Sequence, residues 1–162
     1  MFRKKKTGAA AAAQAEAELQ ALAAQRELPA PMGDRREAGA LELAFLGDAV
    51  YELMVRAFVY AGSAGNVQTL HRDAVYYSNA SFQAAAAARL EPLFTEAEAA
   101  VYRRGRNAHA GHTPKNKTEA EYHKATGLEA VFGRLYLDGC EERLQTLFRL
   151  ALTEKEEEEN LN

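Results

Sequence analysis

LAFLGDAVYELMVRAFVY, residues 43–60, is almost wholly apolar, yet Asp48 stands inside it directly after Gly47. Leu41, Phe45, Asp48, Glu52 and Val55 follow three- and four-residue steps; Leu43, Leu46, Val50, Leu53 and Met54 do so on adjoining faces. This spacing predicts a helix over 38–61, apolar nearly all round and therefore central and buried. Burying an unpaired ionised carboxylate costs on the order of several kcal/mol. Either the helix is open at Asp48 or a cation meets it there. Glycine costs about 1 kcal/mol relative to alanine inside a helix, so Gly47 points to the close approach of another helix or backbone.

Outward from this run the chain stays helical in character. It is rich in Ala, Leu, Glu, Gln and Arg, and its strand-forming signals are thin, with few β-branched clusters. An all-α, helical-bundle fold follows. Residues 9–27 have helix propensity but, in Leu19 and Leu22, almost their only large apolar anchors, which predicts a solvated helix. Residues 1–8 read as disordered, and ELPAPMGD (27–34) reads as a linker. Residues 1–35 are thus a flexible extension, 36–152 the folded domain and 153–162 an acidic tail. Within the domain, helices are expected from Val67 to Ala74 or a little beyond, and over Tyr77–Arg89 with Ser78 or Asn79 as cap. Others follow from 96 to about 104, over Glu119–Leu137, and from Cys140 or Glu141 to Leu152. Thr95 and Glu98 form the Thr-x-x-Glu capping pattern.

At 162 residues, 48% of them hydrophobic, the chain can bury one domain's core. Its single cysteine, Cys140, excludes an internal disulfide framework and a Cys-based zinc site, and reads as a small semi-buried residue. No uncharged apolar run reaches the ~18–20 residues of a membrane span, and no secretory core is read at the N-terminus. The net charge of −3 hides a local excess: residues 103–124 carry six basic side chains against two glutamates. A basic patch in an acidic protein is a partner signal.

A second acid repeats the first pattern. TGLEAVFGRLYL (126–137) places Glu129 in an apolar helix with glycines nearby. If the two helices cross at these acids, the carboxylates meet, and like charges so close call for a cation between them. Oxygen ligands of this kind suit Mg²⁺ or Mn²⁺, and the chemistry indicated is metal-assisted attack of water on a phosphodiester. Asp48 could instead serve a structural ion pair. Glu52 is either an i,i+4 partner for Arg56 or a further carboxylate near the metal. The loop GRNAHAGHTPKNKT (105–118) is long for a compact domain. With Arg103 and Arg104 before it, it offers donors for phosphate oxygens and sugar hydroxyls, or is simply a solvated basic loop. His109 and His112 are too few for a zinc site. His71 reads as a hydrogen-bonded helix residue, and Tyr76 and Tyr77 as core packing before base stacking.

LELAFLGDAVYE resembles the signature helix of the ribonuclease III catalytic domain, and TGLEAVFGRLYLDG that family's second acidic helix. RRGRNAHAGHTPKN followed by EYHKATGLEAVFGRLYL is similar to the family's short form without a double-stranded-RNA-binding domain, Mini-ribonuclease III. The resemblance covers residues 36–152. It implies that Asp48 and Glu129 are the catalytic, metal-binding acids and that Mg²⁺, or Mn²⁺, is the cofactor. It implies a cytoplasmic homodimer that cleaves double-stranded RNA to 5′-phosphate ends, with 23S ribosomal RNA precursor as substrate and a large-subunit ribosomal protein as a possible helper. Leu41, Ala44 and Thr126 occupy positions where full-length ribonuclease III has acids, which lowers the number of direct metal ligands. With no separate RNA-binding domain, the clamp on the duplex falls to Arg104, Arg106, Asn107, Lys115 and Lys117. The alternative is a non-catalytic RNA-binding scaffold on the same fold; retention of both acids weighs against it.

Overall fold

The computed structural model describes residues 6–25, 38–108 and 118–153, and the regular structure among them is entirely helical. The linker read at 27–34, the tail beyond Thr153, most of the basic loop and its His109 and His112 lie outside the described residues. The chain divides into two units, Met1–Arg35 and Arg36–Asn162. The first contributes α1, Lys6–Gln25, which begins earlier than its alanines alone indicate. Residues 9–21 are exposed, as the scarcity of apolar anchors predicts.

The second unit holds α2 (Ala40–Gly62), α3 (Val67–Ser78), α4 (Ala80–Leu90), a short 3-10 turn (Glu91–Leu93), α5 (Glu96–Asn107), α6 (Glu119–Leu137) and α7 (Glu141–Leu152). Side-chain caps set the starts of α3, α4, α5 and α6. Asn66 accepts from Thr69 N, Asn79 from Phe82 N, Thr95 from Glu98 N and Thr118 from Glu121 N. The Glu98 carboxylate also accepts from Thr95 N at 2.8 Å, completing the capping box. Arg143 on α7 then grips both Glu98 oxygens, at 2.9 and 2.8 Å, and ties the start of α5 to α7. These hydrogen bonds, Arg143's first, hold the Glu98 carboxyl below its ordinary range. Gly139, at φ 67°, ends α6 in the left-handed region, and Cys140 N donates back to Leu135 O at 2.9 Å.

Helix α6, not α2, is the centre of the bundle. It packs against α2, α4, α5 and α7, and Ala125–Leu128 and Ala130–Gly133 are buried without interruption. Tyr51 of α2 meets Phe132 edge-on at 5.2 Å and Phe148 of α7 at 5.8 Å. The expectation that α2 is buried all round is corrected. Phe45 is 84% exposed and Leu53 68%, and Leu41 is exposed beside them. These side chains share a stripe that no other described element covers. Cys140 is likewise exposed rather than semi-buried. Among the described residues, no helix is long and apolar enough to cross a membrane.

Candidate active site

The site begins where α2 and α6 touch backbone to backbone. A Cβ added to Gly47 would fall on the Glu129 carbonyl, 2.6 Å from its carbon, and 2.7 Å from Gly133 N. A Cβ on Gly133 would fall on the Leu43 carbonyl, 3.0 Å from its carbon. Only glycine at both positions permits this approach, which is why a residue unfavourable to helices stands inside each. Asp48 follows Gly47 directly, and Glu129 is the residue whose carbonyl touches Gly47. The crossing therefore fixes the two acids relative to each other.

Their environments differ. Asp48 lies at the exposed rim, so the first reason for its place in an apolar run is that the helix is open there. Its carboxyl is nonetheless raised, by partial burial and then by the charge of Glu52. Glu129 sits deeper, and its carboxyl is pushed up to about 8 by burial and by the charge of Asp48. The charge of Asp48 thus acts on Glu129, while Asp48 answers to Glu52; Glu129 is half-buried and Asp48 exposed, so neither acid is fully buried. Burial is the first cause of both shifts, and a neighbouring carboxylate the second. Gln83 of α4, only 2% exposed, acts on Glu129 in the opposite sense through its amide. Its Nε2 makes no hydrogen bond of good geometry, a deficit of about 1–3 kcal/mol when buried. Gln83 leaves no mark in the sequence, since one amide in an alanine-rich helix creates no pattern.

This donor set fits a divalent cation. No group of three His, Cys, Asp or Glu side chains capable of holding a metal occurs among the described residues. Mg²⁺ habitually takes one or two protein carboxylates and fills its remaining positions with water or phosphate oxygens. Thr126 supplies no ligand: it is buried and its hydroxyl donates to Tyr122 O at 3.0 Å. Ala44 is buried and Leu41 lies on the exposed stripe. Glu52 is engaged by Arg56, with Nε 3.1 Å from its Oε1.

The basic residues divide into two places. Helix α5 runs to Asn107, so Arg106 and Asn107 are helical rather than part of a loop; Gly105, read as a breaker, packs against Gly127 and Ala130 of α6. Arg106 and Asn107 line a shallow cleft with His123 and Lys124. The Arg106 guanidinium lies 5.7 Å from the Tyr102 ring centre and 3.8 Å from Glu91. Arg104, two residues earlier and so on another face, lines a separate groove with Arg134 and Arg143. Lys115 and Lys117 lie outside the described residues. His123 and Lys124 are additions to the cleft; they stand more than one turn inside α6, beyond the basic loop.

Residues 41–140 match the family model of the ribonuclease III domain, a span that includes both acids and both helices of the crossing. The chain belongs to the ribonuclease III family. Within it, the chain is similar to Mini-ribonuclease 3 of Symbiobacterium thermophilum, 46% identical over 111 residues, 68% of this chain and 85% of that one. Mini-ribonuclease 3 of a Thermoanaerobacter species is 42% identical over 72% of this chain and 82% of its own. A crystallographically solved protein from Fusobacterium nucleatum superposes with a TM-score of 0.66 at 32% identity, covering 74% of this chain and 95% of that one. The chain is thus an endoribonuclease of the ribonuclease III type. Ribonuclease III enzymes act on double-stranded RNA, generally depend on a divalent metal and are typically dimeric.

Proposed function

We propose that the chain cleaves double-stranded RNA in the bacterial cytoplasm with Mg²⁺, or Mn²⁺, held by Asp48 and Glu129, and that it matures the 23S ribosomal RNA precursor. The observation that carries this reading is the glycine-to-glycine contact of α2 and α6, which brings both acids to one crossing, where the charge of Asp48 acts on Glu129. When bound, the metal would supply an activated water and offset charge on the phosphate. Asp48, at the rim, and Glu129, behind it, hold that charge in place. Arg106 and Asn107 bind backbone phosphates from the cleft beside α6, with Lys115 and Lys117 of the basic loop, while Arg104 contributes from its separate groove. Such contacts read A-form shape and 2′-hydroxyls rather than base edges. The three-motif resemblance supports the ribosomal precursor as substrate and a large-subunit ribosomal protein as helper. Incubation with a generic RNA duplex in low salt tests the activity. Cleavage to 5′-phosphate ends is expected with Mg²⁺ and none with a chelator; metal-independent or absent cleavage overturns it.

The stripe of Leu41, Phe45 and Leu53 supports a homodimer. A groove of about 540 Å³ lined by Leu46, Leu53, Met54, Leu135 and Tyr136 runs beside it. Phe45, projecting from this face, is the residue a second copy would bury; an aromatic side chain so covered contributes about 2–3 kcal/mol. Phe45→Asp is expected to sediment as a monomer with an unchanged helical spectrum. A dimer that survives the substitution removes α2 from the interface.

A further inference from the structure

Arg143 and Arg134 close their ion pairs, with Nη2 2.8 Å from Glu98 and 2.6 Å from Asp138. Arg106 does not. Its Nη1 stands 3.8 Å from Glu91 Oε1, beyond hydrogen-bond reach but close enough for charge attraction. Both side chains are partly exposed, at 36% and 46%, so a solute can come between them. On another side the guanidinium is confined by the Tyr102 ring, whose centre lies 5.7 Å away. That ring is itself held: Phe94 packs against it at 5.5 Å, and a Cβ on Gly127 would come within 2.8 Å of its Cδ2. Glu91 opens the 3-10 turn between α4 and α5, and Arg106 lines the cleft at the far end of α5. An acid thus faces the guanidinium assigned above to a duplex phosphate, without hydrogen-bonding to it.

We propose that Glu91 is a counter-charge that competes with the RNA backbone for Arg106 and so loosens the grip on duplex. This inference rests on the assignment of Arg106 as a phosphate contact. A phosphate arriving at Arg106 takes the donors that Glu91 leaves open, but it must push the carboxylate aside or lie next to a like charge. A closed pair would withhold the guanidinium altogether, and an absent acid would let it hold RNA more firmly. Cut product carries the same backbone as substrate, so a contact weakened in both lets product leave more readily. A second acid, Glu119, lies 3.6 Å from His123 Nε2 beside the same cleft. Histidine is cationic only when protonated, whereas arginine is charged throughout, which makes Glu91 the acid whose removal matters at neutral pH.

The test is metal-free binding of a generic RNA duplex in low salt by the full chain, as wild type, Glu91→Gln, Arg106→Gln and the double variant. Glu91→Gln keeps the size of the side chain and removes its charge. It is expected to tighten binding about two- to fivefold, the worth of an exposed ion pair, and Arg106→Gln to weaken it. In the Arg106→Gln background the gain from Glu91→Gln should vanish, because the two side chains act on one phosphate. Unchanged or weaker binding by Glu91→Gln would make Glu91 an orienting or idle residue and overturns the proposal. An equal gain in both backgrounds also overturns it, since net charge alone then explains the effect. If Arg106→Gln binds as tightly as wild type while duplex is still cut with Mg²⁺, the phosphate role of Arg106 and this proposal fall and the nuclease reading stands. If wild type neither binds nor cuts duplex, all three fall.

Discussion

Glu129→Gln is expected to lower duplex cleavage by about a thousandfold, equivalent to about 4 kcal/mol of transition-state stabilisation. Metal-free duplex binding should stay near wild type, because the basic cleft is untouched. Asp48→Asn should act in the same direction. Stability supplies a second readout with a definite sign. In the metal-free protein Glu129 keeps its proton up to about 8, whereas the unfolded chain releases it near the ordinary glutamate value of about 4.3. The protein is then most stable with respect to this group below that lower value. It loses stability as pH rises through the interval and levels off above about 8. The amide of the Glu129→Gln variant has no proton to lose in this range, so the slope disappears. At pH 8 without metal the variant should melt above wild type, and at pH 5 the gap should narrow. Full cleavage by the purified variant overturns Glu129 as a catalytic acid.

Gly47→Ala should be the most damaging single-methyl change in the fold. The new Cβ lands on the Glu129 carbonyl, backbone that cannot rotate away, so α2 and α6 must part. Overpacking of this kind costs about 1–3 kcal/mol or more, against about 1 kcal/mol regained from helix propensity. A chemical-denaturation midpoint should fall accordingly. Cleavage should fall further than stability explains, because parting the helices separates Asp48 from Glu129. Gly62→Ala is the matched control: a Cβ there has nothing within 4 Å, so it should be neutral or stabilising by up to about 1 kcal/mol. Equal behaviour of the two variants would mean that the helices do not touch at Gly47.

The parts of this fold that local chemistry governs were readable in the sequence. Thr95 with Glu98 announces α5, and Glu119–Leu137 and Glu141–Leu152 stand where periodicity and punctuation put them. The glycine cost at Gly47 correctly signals a close backbone. What failed needs knowledge of neighbours. The α2 stripe of Leu41, Phe45 and Leu53 has the periodicity of a buried face, and nothing in spacing says whether the covering surface belongs to the same chain. Gly105 reads as a loop residue because glycine usually breaks helices, yet here it lets Gly127 and Ala130 approach, and α5 continues to Asn107. The separation of Arg104 from Arg106 follows only once both are helical. Gln83 carries no signal at all until α4 is seen against α6.

Helix α6 is pressed closely on two flanks, at Gly47 and Gly133 against the backbone of α2, and at Gly105 and Gly127 against α5, where the Tyr102 ring and carbonyl meet Gly127. Such an element has almost no freedom to slide or turn without steric collision. Adaptation to a new RNA would therefore have to occur at the periphery, in the side chains lining the cleft of Arg106, Asn107, His123 and Lys124. With the cleft as the proposed duplex grip, selectivity could drift there through ordinary surface substitutions while the α2–α6 crossing stays fixed, which makes the scaffold a favourable starting point for altering which duplex is cut.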